Sequence, residues 1–364
     1  MANSFFPSRT ITVYVAKAFL IRTFAILFAL VLILQALDLL GESGNILSYP
    51  GNDSSSLWYY VSLRTPQIIA RFLPFSVLLG TLVTLATLNQ NSEVVSMKAA
   101  GLSAHQVLAP LMVAALGVAV ISFGFNDRIV TRTTATLDRW QKAEYGPTAI
   151  DRKAAMNVWV RDGNNLIHAG KVSGRGAATK LTDVTVYNRS SGSLDSIVRS
   201  KEATTIGGEW SLLDATRFDV ARGTQSSIGT IRAGAGVRPD QFTLATVDPE
   251  EKSFRGLWQA IGDLRAAGRP TSELEAGLWH KISGPLSALL MPLLGAVAAF
   301  GIARSGRLFI RAVIGMALGF AYFVADNFGL AMGNLGAYPP LLAAWGPFFL
   351  FLLIGETVLI NTEE

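Results

Sequence analysis

The sequence predicts a membrane protein in which three hydrophobic helices precede, and three more follow, an inserted water-soluble β domain. Hydrophobic residues make up 50% of the 364-residue chain and charged residues only 16%, which is too apolar for a soluble protein with an ordinary charged surface. The apolar residues form six runs of roughly 20, the length that crosses about 30 Å of hydrocarbon. The middle of the chain instead carries short apolar runs between turn residues, which is typical of β structure.

The six apolar runs are expected to be six membrane spans. They cover residues 19–40, 68–88, 107–125, 278–303, 308–325 and 341–360. A cleaved signal peptide is the competing interpretation of the first run. That run is longer than a signal core of about 7 to 15 residues, and no small-x-small cleavage site follows it. We therefore expect a retained first span.

The short polar segments predict the orientation, because cytoplasmic loops carry an excess of Lys and Arg. The N-terminal segment and the link 303–311 are basic, whereas segment 41–63 has no Lys or Arg and segment 329–340 carries no charge. This pattern places both termini in the cytoplasm and residues 127–270 outside. The basic residues behind this prediction are Arg9, Lys17, Arg22, Arg304, Arg307 and Arg311.

The external segment is predicted to be mostly β structure. Two short apolar runs, 157–160 and 166–168, flank Asp-Gly-Asn-Asn, which is the pattern of a β-hairpin. Further candidate strands suggest a sandwich, barrel or jelly roll, and a helical pattern returns near 254–267. These further strands are 181–187, 196–206, 210–220 and 226–231. The expected regions are 1–127 with three spans, 128–270 with the β domain and its closing helix, and 271–364 with three spans.

Composition and motifs argue against several kinds of function. The formal net charge is +5, but the basic residues are dispersed, so we expect no nucleic-acid surface. The chain has no cysteine and its three histidines are far apart in sequence, so we expect no metal site. The Gly-x-x-x-x-Gly-Lys-Ser/Thr phosphate loop and the Gly-x-Ser-x-Gly elbow are both missing from the sequence. An enzyme is therefore the weaker hypothesis, and any ATP-driven work requires a partner.

The polar link between the second and third spans predicts a short helix at about 91–101. Asn91 or Ser92 can cap its start, Glu93 lies where the helix dipole favours an anion, and Gly101 suits its end. Small residues along the link allow a partner to approach closely. Two interpretations stay open on these residues alone: a surface helix that only joins two spans, or a docking helix for a cytoplasmic subunit.

The sequence SEVVSMKAAG at 92–101 resembles the coupling-helix motif of the LptF/LptG family, the permease subunits of the lipopolysaccharide export ABC transporter. Three other stretches are similar to that family: WVRDGNN at 159–165, in a form more typical of LptG, LWHKI at 278–282, and YFVADN at 322–327. The similarity covers nearly the whole chain and has the same three-plus-three arrangement. The chain thus resembles a permease of this family, most of all LptG.

The resemblance implies a transport subunit without catalytic chemistry or a bound cofactor. In this family, an LptF-type and an LptG-type permease pair with an LptB-type ATPase dimer, which uses ATP and Mg. Together they draw lipopolysaccharide from the bacterial inner membrane and pass it, by way of a periplasmic β-jelly roll, to LptC-type and LptA-type bridge proteins. The residues that the resemblance assigns to ATPase coupling are Ser92, Glu93, Val94, Ser96, Met97, Lys98 and Gly101.

Other functions compete with this interpretation. The chain could be the LptF-type partner in the same transporter, or a membrane-anchored protein whose external domain binds other envelope proteins. A secondary transporter is disfavoured, because the spans show no chain of intramembrane carboxylates.

Candidate lipid contacts are arginines near the outer ends of the spans, together with aromatic and strand positions. The arginines can donate charge-assisted hydrogen bonds to phosphates, although boundary arginines also anchor helices and Arg71 has a structural alternative. Asp326 is an intramembrane acid that either serves the substrate path or bonds a neighbouring helix. The candidates are Arg64, Arg71, Arg128 and Arg132 for phosphates, Phe24, Phe28 and Phe320 for acyl chains, and Asp326, Val158 and Val160 along the path.

The outer end of the first span departs from the family, which often has lysines there. This chain has Gln35, Asp38, Gly41 and Glu42 instead. These residues do not match that part of the phosphate-binding scheme.

Overall fold

The computed structural model describes residues 7–147, 155–174, 178–190, 193–206, 209–234, 237–239, 242, 248–266, 270–300 and 308–361. Its contacts divide into two compact units. One contains the described residues of Met1–Pro147, Pro249–Leu257 and Ser272–Glu364, and the other those of Thr148–Asp248 and Trp258–Thr271. Arg304 and Arg307, which contribute to the predicted orientation, lie outside the described residues, as does the side chain of Arg311.

The helices begin and end as follows. Before the β domain they are α1 (Arg9–Ser48), α2 (Ser54–Gln90), α3 (Glu93–Ala99), α4 (Ala104–Phe125), a π-helical turn (Asn126–Val130) and α5 (Thr131–Lys142). After it they are a 3-10 turn (Pro249–Glu251), α6 (Phe254–Ala266), α7 (Ser272–Phe300), α8 (Leu308–Asn334) and α9 (Pro340–Asn361). The predicted helices of the first and last thirds are all present.

Five helical stretches are long and apolar enough to cross a membrane within the described residues. They are Arg9–Ser48, Ser54–Gln90, Ala104–Lys142, Val313–Asn334 and Pro340–Asn361. The predicted fourth span is α7, which is long enough but carries His280, Lys281 and two prolines. It packs against α2, α4, α8 and α9, so much of its surface faces protein rather than lipid. A helix in that position tolerates more polar residues than its neighbours do.

Most of the segment 41–63 is helical, whereas the sequence predicts a loop there. α1 continues to Ser48 and α2 begins at Ser54, so only a short link joins them. α1 has 40 residues. At 1.5 Å per residue it is about 60 Å long, roughly twice the hydrocarbon thickness, so the hairpin extends well past the bilayer. Hydrogen bonds from the Ser55 hydroxyl and backbone N–H lower the pKa of Asp53, which caps α2.

A small core of its own stabilises the protruding part of the hairpin. Trp140 lies in α5 and Tyr145 lies just after its end. α5 continues from α4 through the π-helical turn, which contains Asp127. Their rings meet edge to face, with centroids 5.1 Å apart, and the Trp140 indole N–H donates to the Tyr145 carbonyl at 2.9 Å. The buried members of this core are Ile46, Tyr60, Leu63, Leu137, Trp140 and Tyr145.

The main core of the helical unit lies between the spans. Close helix contacts depend on small residues: Gly80 on α2 faces Thr23 on α1, and Gly355 on α9 faces Leu293 on α7. The largest fully buried side chains of this core include Phe19, Leu78, Leu85, Leu88 and Leu111.

The second unit contains one antiparallel sheet of six strands, paired in chain order from β1 to β6. The strands are β1 (Ala155–Asp162), β2 (Asn165–Ser173), β3 (Lys180–Ser190), β4 (Ser193–Ile206), β5 (Glu209–Asp219) and β6 (Thr224–Ala233). The predicted first hairpin is confirmed, with Asp162 opposite Asn165 and Gly163 in the left-handed region at φ 56°. The fold class, a helical membrane protein with an inserted β domain, is confirmed as well.

One face of the sheet forms an apolar core. Val158 and Val160 on β1 point into it and are 1% and 7% exposed. Trp210 on β5 is buried against Phe242, and its indole N–H donates to the Val237 carbonyl at 2.8 Å. Alternation of buried and exposed positions along β1 follows the period of two that a half-buried strand requires.

Candidate functional site

The candidate coupling helix is α3, a seven-residue helix between the second and third spans. Ser92 precedes it with a left-handed backbone at φ 55°, and its side chain makes no capping hydrogen bond. Of the two predicted caps, Asn91 and Ser92, Ser92 precedes the helix but does not cap it through its hydroxyl, because a side-chain cap requires an extended backbone at that position. Instead, the Ser96 hydroxyl donates to the Ser92 carbonyl at 3.0 Å.

Gly101 ends the helix as predicted. Its backbone is left-handed at φ 88°, and its N–H donates to the Lys98 carbonyl at 2.9 Å. The N–H of Leu102 donates to the Met97 carbonyl at 3.1 Å. These two bonds are the Schellman arrangement, which requires glycine-like freedom at this residue.

One face of α3 packs on the bundle and the other is open. Val94 is 5% exposed and Met97 packs against the main core. Val95 is 60% exposed, and Ser96 and Lys98 are exposed too. The open face exposes a short surface, made mostly of small side chains, to the solvent. A helix with one face packed on the bundle and one exposed face is suited to bind a second protein and to transmit its movement to the spans.

The Glu93 carboxylate is held by two donors. Its Oε1 accepts from the Tyr14 hydroxyl at 3.3 Å and from the Asn91 side-chain amide at 3.2 Å. Tyr14 lies on α1, 79 residues away in sequence. Sequence reasoning missed this contact, because nothing near Tyr14 in the chain indicates which helix its hydroxyl meets.

A second polar contact joins the start of α4 to α9. His105 Nε2 lies 3.3 Å from Glu356 Oε2. Because α4 begins only five residues after α3 ends, this contact connects the neighbourhood of the coupling helix to the last span. Neither residue was among the predicted site residues.

At the outer end of the first two spans, Arg64 is paired inside the chain. Its guanidinium lies 3.0 Å from Asp38 and donates to the Gln67 amide oxygen at 2.8 Å. Asp38 also accepts from the Tyr60 hydroxyl at 2.7 Å. That Arg64 binds a phosphate stays a prediction, and it now competes with this internal ion pair.

The polar residues that stand where the family often has lysines also have internal partners. Gln35 accepts from the Thr65 hydroxyl at 3.1 Å. Glu42 accepts from the Tyr145 hydroxyl at 2.8 Å, and burial raises the pKa of Tyr145. This region of the chain therefore stabilises the hairpin rather than presenting cations.

Three of the four predicted arginines remain available to a ligand. Arg71 on α2, Arg128 in the π-helical turn and Arg132 on α5 are exposed. None of their guanidinium groups makes a hydrogen bond or an ion pair with the residues that the structure describes. Arg128 and Arg132 are four residues apart on a continuous helical stretch, so they share a face.

The remaining candidates are divided between surface and interior. Phe24 and Phe28 on α1 and Phe320 on α8 are 50%, 66% and 62% exposed. Asp326 on α8 instead bonds His280 on α7, with 3.0 Å between Oδ2 and Nε2. Of the two roles considered for Asp326, the structure shows the bond to a neighbouring helix. Val158 and Val160 are buried in the core of the β domain. The described residues contain no cluster of His, Asp and Glu that would hold a metal ion.

Comparison with known proteins identifies the family. A family model described as Lipopolysaccharide export system permease LptF/LptG matches residues 13–361. The chain belongs to the LptF/LptG family. It is similar to the Lipopolysaccharide export system permease protein LptG of Escherichia coli strain K12, with 26% identity over 360 residues, 96% of this chain and 97% of that protein. The LptG protein of Haemophilus influenzae strain ATCC 51907 is 25% identical over 356 residues, 95% of this chain and 96% of that protein.

Membership of the LptF/LptG family confirms the prediction of a membrane-embedded permease subunit of the lipopolysaccharide export system. Such a subunit carries out transport, and ATP hydrolysis takes place in a separate subunit. The α3 helix, the three exposed arginines Arg71, Arg128 and Arg132, and the exposed aromatic residues are the parts of this structure that such a role can use.

Proposed function

We propose that this chain is an LptG-type permease that takes lipopolysaccharide from the inner membrane and passes it towards the outer membrane. The observation that carries this proposal is α3, a short helix with Glu93 in its first turn and one open face. An LptB-type ATPase dimer binds that face, and closure of the dimer moves the spans. The other coupling residues shape α3 or hold it against the helical bundle; they are Ser92, Val94, Ser96, Met97, Lys98 and Gly101.

ATP and Mg are used by the ATPase, and this chain binds no cofactor. The lack of a phosphate loop in the sequence supports assigning ATP binding to a separate subunit. The basic N-terminal segment supports cytoplasmic termini, with the β domain in the periplasm. An LptF-type permease completes the lipid cavity, and LptC-type and LptA-type bridge proteins receive the lipid after the β domain.

Two surfaces of this chain meet the lipid. Phe24, Phe28 and Phe320 are exposed on α1 and α8, where they contact acyl chains. Arg71, Arg128 and Arg132 bind the phosphates, because exposed guanidinium groups with no partner among the described residues can donate bidentate charge-assisted bonds. The internal pairing of Arg64 makes it a weaker ligand than these three.

Lipopolysaccharide bound to the purified transporter tests this assignment. We expect the wild-type chain, purified with its partners, to carry lipopolysaccharide. Replacing Arg71 and Arg128 together by alanine should reduce the amount at least about tenfold, because a hydrogen bond to a charged group contributes about 1.5 kcal/mol or more. Arg222→Ala, which removes an exposed arginine from a β-domain turn, is the matched control and should change nothing.

Two results would count against the proposal. Wild-type protein free of lipopolysaccharide would overturn the substrate assignment. Equal lipid content in the double variant and the Arg222→Ala control would overturn the role of the arginines.

A further inference from the structure

We propose that Tyr14 is a positioning residue that ties the coupling carboxylate of Glu93 to the first span. This inference rests on the coupling role proposed for α3. It assigns to the Tyr14 hydroxyl the transmission of α3 movement to α1, the helix that carries Phe24 and Phe28.

The two oxygens of Glu93 have different partners. Oε1 accepts from the Tyr14 hydroxyl and from the Asn91 amide, at 3.3 and 3.2 Å. Oε2 has no hydrogen-bond partner among the residues that the structure describes, and Glu93 is partly exposed. One oxygen therefore orients the side chain from within, while the other stays open to a donor on the ATPase.

The two donors to Oε1 differ in where they are anchored. Asn91 is two residues from Glu93 on the same link, so its bond moves with α3. Tyr14 belongs to α1, and its bond is the polar contact between Glu93 and another span. Movement of α3 thus reaches α1 through Tyr14 and cannot do so through Asn91.

The position of Tyr14 suits this role. Its side chain is 52% exposed, so the ring is not required to fill the core. Its hydroxyl is available for rearrangement when the ATPase binds Oε2. A partly exposed bond can break and re-form during a transport cycle at little cost to folding.

The test compares lipopolysaccharide release with ATP hydrolysis in the complete transporter, reconstituted with its ATPase and second permease. We expect Tyr14→Phe to keep ATPase association, because Oε2 is untouched. The ratio of lipopolysaccharide released to ATP hydrolysed should fall about threefold or more, the effect of losing one hydrogen bond of ordinary strength. Tyr338→Phe is the matched control, since it removes an exposed tyrosine hydroxyl that makes no hydrogen bond with the described residues.

Asn91→Ala separates orientation from transmission. It removes the other donor to the same oxygen, but not the contact with α1. We expect its ratio of release to hydrolysis to stay closer to wild type than that of Tyr14→Phe. Equal losses in both variants would show that Tyr14 is a local donor only, and would overturn the inference.

A comparison of the single variants Glu93→Ala and Tyr14→Phe distinguishes failure of the inference from failure of the proposed function. If Glu93→Ala leaves ATPase association unchanged, the proposed docking itself is wrong. If Glu93→Ala releases the ATPase but Tyr14→Phe keeps the wild-type ratio, only the role of Tyr14 is wrong. If Tyr14→Phe itself releases the ATPase, the hydroxyl acts in docking and the transmission role is overturned. In a Glu93→Gln background, where the carboxylate charge is gone, Tyr14→Phe should have less effect than in wild type.

Discussion

Replacing Glu93 by alanine is expected to release the ATPase from the purified transporter, while the chain itself still folds and inserts. Glu93 is partly exposed and is not a member of the described hydrophobic cores, so its loss leaves packing unchanged. Loss of one charged partner at a protein interface costs about 2 kcal/mol or more. That corresponds to roughly thirtyfold weaker association. The measurement is the amount of ATPase that copurifies with the tagged chain.

Glu273→Ala is the matched control for this experiment. Glu273 is an exposed glutamate that, like Glu93, lies in the first turn of a helix, at the start of α7. It therefore reproduces the loss of charge and of helix-dipole interaction without touching α3. ATPase recovery that is equal in the two variants would show that α3 does not dock the ATPase through Glu93.

Gly80→Ala is expected to destabilise the helical unit. A methyl group on Gly80 would overlap the Thr23 hydroxyl and lie 2.9 Å from the Thr23 Cα atom on α1. Because the second contact is with backbone, the two helices must move apart. Overpacking of this kind costs about 1–3 kcal/mol. Size-exclusion profiles after heating, recorded in one detergent, should show a lower melting temperature than for wild type.

Gly117→Ala provides the opposite expectation. Apart from the adjoining backbone of α4 itself, no atom of the described residues lies within 4 Å of the position that its Cβ would occupy. The change should be neutral or stabilise the helix by up to about 1 kcal/mol, since alanine restricts the unfolded chain and favours helix. A melting temperature for Gly80→Ala as high as that of Gly117→Ala would contradict the close α1–α2 contact.

The spans and the β-hairpins could be predicted because each follows from a local pattern. The runs of about 20 apolar residues indicate membrane helices. The Asp-Gly-Asn-Asn sequence indicated the β1–β2 turn, which the structure shows at Gly163. The end of α3 was predictable in the same way, since Gly101 is the residue type that a left-handed helix end prefers.

Features that depend on packing between distant segments were not predictable. The outer parts of α1 and α2 read as a loop because acidic and polar residues interrupt the apolar pattern between 41 and 63. They are helical because α5 returns to pack on them with Leu137 and Trp140. The start of α3 also differed, because the left-handed backbone of Ser92 prevents its expected side-chain cap.

The polar contacts of the candidate site were missed for the same reason. Tyr14 and Glu93 are 79 residues apart, and His105 and Glu356 are 251 apart. Hydrophobic periodicity indicates which face of a helix is buried, but not which residue of another helix lies opposite. Arg64 illustrates the converse: its sequence position suggested a phosphate ligand, and only the packing of α1 on α2 shows its ion pair with Asp38.

ATP-dependent release of lipopolysaccharide tests the central claim most directly. The chain is reconstituted in lipopolysaccharide-loaded proteoliposomes with its copurified ATPase and second permease, and transfer to a soluble periplasmic acceptor is measured. The proposal predicts transfer that requires ATP and Mg and is lost with Glu93→Ala. Transfer that proceeds equally without ATP, or a complete assembly that hydrolyses ATP without releasing lipopolysaccharide, would contradict it.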